Sequence, residues 1–156
     1  MTQRYTQGDL TPLEDGIELI RRNPEKFLYP LSAPSGNSVM ARMTSTLIFL
    51  GSYPLHVEVE GNTWAISSGR DWLMDANGTP DYIVFSQLVA FPEYCKNSYR
   101  EEVLISAFSE NAATFSPIFG LRKIKGHIES FKLSQDYFNQ NPQYQRTLVF
   151  SIGSEA

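Results

Sequence analysis

The chain has 156 residues, 42 % of them hydrophobic and 19 % charged, which fits one compact globular domain and excludes a disordered or fibrous chain. Its net charge of −4 argues against a general nucleic-acid binder, whose domains carry a basic excess. A single cysteine, Cys95, rules out an intrachain disulfide and suits a reducing compartment.

Residues 1–10 are polar and read as a flexible N-terminal arm, leaving 11–156 as one domain. The opening stretch lacks the apolar core of a signal peptide, and no run of about 18 apolar residues exists to span a membrane, so the cytoplasm is the expected compartment. Thr11, Pro12 and Glu14 form a helix start with Leu13, Ile17 and Ile20 as its apolar stripe, and the helix should stop near Asn23-Pro24. Glu25 to Ser38, with two prolines and a glycine, reads as a loop. A second helix is expected from Ser38 to Leu50, stopped by Gly51. Leu55, Val57 and Val59 alternate with His56, Glu58 and Glu60, a half-buried strand, and Gly61-Asn62 turns it into a returning strand over Thr63 to Ser67.

After a loop at Asp75 to Pro80, a short helix is expected around Tyr82 to Ala90. Ser98 and Glu101 have capping-box spacing ahead of a helix that carries Val103, Leu104 and Phe108 on one face. The pattern then turns to strands over Thr114 to Arg122, His127 to Leu133 and Arg146 to Ile152, with a turn at Lys125-Gly126 and a loop from Ser134 to Gln145. Helices and a hairpin followed by a helix and further strands predict an α+β two-layer sandwich, a mixed, mostly antiparallel sheet with helices packed on one face.

Chemistry-bearing residues are sparse. Cys95 with His56 or His127 has no local support as a nucleophile pair, and a lone cysteine is ordinarily a small apolar residue. The scattered histidines and cysteine have no metal-site spacing, so neither a metal nor another cofactor is expected. Glu58 and Glu60 project from one face of a strand, which is more often a solvated face than a carboxylate pair. Arg122, Lys123, Lys125 and His127 form a small basic patch around a turn, suited to a phosphate or an acidic partner, although a charged turn is the ordinary explanation. Trp64 can point to either side of its strand, and Trp72, on a polar turn, is expected to be partly exposed.

Three segments resemble the nucleotide-binding domain of the gyrase B, histidine kinase, MutL and heat-shock chaperone ATPases (the GHKL superfamily), with the gyrase B branch nearest. "GIELIRRNPEKFL" at Gly16 to Leu28 is similar to that branch's early helix segment. "TWAISSGRDWL" is similar to its Asp-Asp-Gly-Arg-Gly-Ile strand and turn, and "QRTLVFSI" to the strand near the domain end. The resemblance implies a Bergerat-like fold, and its failures imply a pseudo-ATPase. The general-base Glu and the magnesium-binding Asn would fall near Val39 and Met43, and the adenine-binding Asp near Ser67. The second motif glycine is Asp71, and no glycine lies between Gly78 and Gly120, where a phosphate lid belongs.

The expected function is therefore that of a non-catalytic binding or regulatory protein on a degenerate scaffold: an inhibitor, a modulator or an immunity-type protein with a protein partner. The alternative is a magnesium-independent module holding a nucleotide or small molecule at Ser67, Gly69, Arg70 and Trp72. By the same resemblance, residues 1–10 could exchange between subunits of a homodimer.

Overall fold

The computed structural model describes residues 15–28, 34–131 and 135–153. Five helices and five strands make an α+β sandwich in which the main helical layer covers one face of the sheet. Strand order is β1-β2-β5-β3-β4, with β1 Leu55–Glu60, β2 Thr63–Ser68, β3 Asn111–Ser116, β4 Gly120–Lys125 and β5 Arg146–Ser151. Every neighbouring pair is antiparallel, so the described sheet is not mixed. The last strand in the chain lies at the centre, joining the β1–β2 hairpin to the β3–β4 hairpin.

The helical layer starts with α1 (Gly16–Arg22), capped by Asp15, whose carboxylate accepts from the Ile17 amide at 3.1 Å. The helix therefore starts later than the Thr11 signal predicts, and residues 11–14 lie outside the described set, as does the arm. Pro24, with φ preset for a first turn, opens the one-turn α2 (Pro24–Phe27) inside the segment read as a loop. Leu28 behind it is fully buried.

Helix α3 (Gly36–Phe49) begins two residues earlier than expected because Ser35 is its cap and Ser38 closes the reciprocal capping box. It ends as predicted at Gly51. The left-handed backbone there (φ +67°) lets the Ser52 amide reach the Leu47 carbonyl at 3.0 Å and the Gly51 amide that of Ile48 at 3.1 Å, a Schellman closure. Val39, Met43 and Leu47 are fully buried against Ile66, Leu148 and Phe150 of the sheet.

The remaining differences have local causes. Tyr82 to Phe85 makes only a 3-10 turn, because the chain beyond it forms a bridge: the Arg100 amide bonds the Val89 carbonyl at 2.7 Å and that of Phe91 bonds Ser98 at 2.8 Å. Ser98 is thereby removed from any cap, and α4 (Val103–Phe108) starts after Glu101 has turned its carboxylate to Arg42 at 2.9 Å. The expected strand from Thr114 to Arg122 is broken into a hairpin. Pro117 follows Ser116, whose hydroxyl accepts the Ile118 and Phe119 amides at 3.2 and 3.4 Å, and Gly120 supplies φ +72°. His127 to Phe131 is not a strand. Gly126, at φ +65°, ends β4, and the His127 amide turns to Asn111 Oδ1 at 2.7 Å. The polar segment read as a loop contains α5 (Gln135–Gln140), whose Phe138 stacks on Phe115 at 5.0 Å on the face opposite the main helical layer.

Candidate functional site

The two positions to which the gyrase-type resemblance would give the general base and the magnesium ligand, Val39 and Met43, are core. Val39 and Met43 have no exposed surface, so neither position opens to solvent or to a bound phosphate. Trp72, expected to be partly exposed, is 7 % exposed and belongs to the same apolar cluster, because Asp71 before it is held inward. Arg146, fully buried, grips that carboxylate with Nε at 2.5 Å and Nη2 at 2.7 Å, and gives Nη1 to Thr114 at 3.1 Å.

The four residues Ser67, Gly69, Arg70 and Trp72 do not assemble into one site. Ile66 points into the helical layer, so Ser67 points to the other face, where its hydroxyl meets Tyr137 and Thr147. Gly69 answers to its own chain: a Cβ there would lie 2.2 Å from Pro54 Cδ and 2.4 Å from the Tyr53 carbonyl oxygen. Arg70 is exposed, with only its amide held, by Ser68 Oγ at 3.2 Å. Trp64 points inward, stacked on Phe150 at 5.8 Å with its indole N–H on Asn37 Oδ1 at 3.0 Å.

Two grooves among the described residues lie on opposite faces of the sheet. The first, about 380 Å³, is basic and lies where α1, α4 and the 3-10 turn meet β4. A β-bulge builds it: the register slips between Ala112 and Ala113, so that Lys123 opposes Ala113 while Lys125 opposes Ala112. Lys125 thus reaches the helical layer, donating to the Ser106 and Ser109 carbonyls at 3.0 and 2.5 Å. Arg21 donates to the Ala107 and Ser106 carbonyls at 2.9 and 3.3 Å. Two cations therefore cap the C-terminus of α4, the end where a helix dipole favours positive charge. Burial, and then the Arg21 charge, pull the Lys125 pKa below its ordinary value.

Arg122 lies over the Tyr82 ring at 4.9 Å, while Lys123, next in the strand and opposite Ala113, is exposed toward the other face of the sheet. Of the three basic residues singled out from the sequence, Lys125 is thus committed to the fold, while Arg122 and Lys123 face outward without a carboxylate partner among the described residues. Arg21 and Tyr82 were missed, since nothing in their local sequence brings them to β4.

The second groove, about 430 Å³, lies on the open face, with His56, Glu58 and Glu60 on one rim and Tyr137 and Phe131 across the sheet. The alternation along β1 put the first three on one side. Tyr137 was hidden in the segment read as a loop. Cys95 is exposed, near neither histidine by any contact, and no cluster of three or more metal-ligating side chains occurs among the described residues. No described helix is long and apolar enough to cross a membrane. Set against known proteins, the chain matches no family model, and no curated protein sequence matches it.

Proposed function

We propose that this chain is a non-catalytic binding protein, a regulator or immunity-type inhibitor on a degenerate gyrase-type scaffold, that holds an acidic protein partner at the basic groove. The observation that carries the reading is the pair Arg122 and Lys123. They stand on an edge strand with no carboxylate partner among the described residues, backed by Arg21 and Lys125 and by the aromatic face of Tyr82. Unscreened cations of one sign in a groove attract an anionic surface, and an Arg already stacked on an aromatic ring loses little further freedom on binding. Exposed Leu121, Phe119 and Ile118 continue the surface along the hairpin and offer the apolar contact that a protein partner requires. The buried Val39 and Met43 support the absence of ATP hydrolysis.

The test is fluorescence anisotropy of a labelled acidic peptide alternating Glu with Leu. Saturable binding that weakens with salt, and that Arg122→Glu/Lys123→Glu removes, is the expected result. Absence of binding, or equal binding by the double variant and by a Lys-Leu control peptide, would overturn the reading.

A further inference from the structure

The open-face groove is separate from the basic one and its chemistry is the reverse. Its floor is ordered by the strand register into three rows. His56, Ser67 and Thr147 form the first, Glu58, Ala65 and Val149 the second, and Glu60, Thr63 and Ser151 the third. A polar row is thus separated from the last carboxylate by an apolar strip, with successive rows about 7 Å apart.

Two observations select a ligand class. Glu58 and Glu60 line the groove, neither has an ion-pair partner among the described residues, and the described residues of the lining include neither Lys nor Arg. In addition, the hydroxyls of Tyr137, Ser67 and Thr147 form a chain, with oxygen separations of 2.9 and 2.7 Å. Three O–H groups supply three donors and the chain uses two, so one donor is left over. Ser67 and Thr147, each only 2 % exposed, are partnered within this chain, which leaves the spare donor to Tyr137, its half-buried end in the groove lining.

We propose that this groove binds a small organic cation: an amine on an apolar stem that ends in a hydroxyl or carbonyl oxygen. The ammonium lies between Glu58 and Glu60, the stem crosses Ala65 and Val149 toward the ring of Tyr137, and the terminal oxygen accepts the spare donor of the hydroxyl chain. The volume of about 430 Å³ suits such a molecule. Anions are disfavoured by the two carboxylates, so this site and the basic groove take opposite ligands and can be tested apart.

Three isosteric probes separate the terms: tyramine, its neutral analogue tyrosol, and the anion 4-hydroxyphenylacetate. In methyl NMR titrations of the full chain, tyramine should shift the Ala65, Thr147 and Val149 signals saturably, about fivefold or more tighter than tyrosol, with no response to the anion. Glu58→Gln/Glu60→Gln, at exposed positions that fold does not depend on, should erase the preference for tyramine. Arg122→Glu should leave it unchanged. No saturation by about 10 mM tyramine, a range corresponding to only ~3 kcal/mol, equal affinity for all three probes, or undiminished tyramine binding by the Gln variant would each overturn the proposal.

Discussion

Arg146 is the largest side chain with no exposed surface among the described residues, and its guanidinium spends its donors on Asp71 and Thr114 while lying 5.7 Å from the Tyr82 ring. A bidentate pair of this kind fixes geometry, and removing one partner strands the other charge in a low-dielectric interior. Asp71→Ala should therefore cost about 3–5 kcal/mol in urea denaturation, and Arg146→Lys should not restore the fork. Glycine is demanded elsewhere by close approach. A Cβ at Gly36 would sit 2.1 Å from Trp64 Cζ2, inside the ring's own volume. Gly36→Ala should destabilise the chain by about 1–3 kcal/mol through overpacking, with the loss visible as a lower urea midpoint at unchanged slope.

At the scale of elements, the joint between α3 and the start of α4 carries a titrating group. Burial, opposed by the charge of Arg42, pushes the Glu101 pKa from 4.5 up to about 7. The folded protein thus holds a proton that the unfolded chain has released across that window. The contribution to stability is complete below about pH 4.5 and is lost as pH rises through about 7. The melting temperature should fall between about pH 5 and pH 8, and Glu101→Gln should flatten that part of the profile; an equally steep profile in the variant would assign the effect elsewhere. Tyr99, in contact with Phe27, is pushed up to about 12 by burial and by Glu101, so it stays neutral through the same range. The elements themselves were legible where local physics decides them. The Gly51 stop, the alternation of β1, the Gly61-Asn62 turn and the last strand all rest on period and turn chemistry. The failures at Ser98, Tyr82 to Ala90 and Thr114 to Arg122 have two causes. In the first two the chain from Val89 to Arg100 folds back on itself in a bridge, and in the third a Ser-Pro turn interrupts an apolar run.

For the whole molecule, the sheet separates charge. The acids of β1 stand over one face at one edge, and Arg122 and Lys125 of β4 meet the helices at the other, although the chain is net acidic by four. Each groove is short-ranged at physiological salt, where screening sets in within about 8 Å, so the net charge need not repel an acidic partner from β4. If the proposed loss of nucleotide chemistry holds, calorimetry with ATP and magnesium should give no heat at about millimolar concentration, a ~4 kcal/mol threshold. A saturable signal that Arg70→Ala abolishes would restore a ligand at the Ser67–Trp72 segment.

The sequence by itself determined the α+β class and the hairpin that carries His56, Glu58 and Glu60, because residue identity, period and turn type are local properties. Only the tertiary structure decided that Trp72 is buried and that Ser67 and Trp72 face different layers. It also decided that Lys125 is a helix cap while Arg122 and Lys123 remain available, and that Tyr137 joins Ser67 and Thr147. Each of those depends on sheet register, on one bulge and on the insertion of β5 between two hairpins, and such long-range pairings leave no periodic trace in the chain.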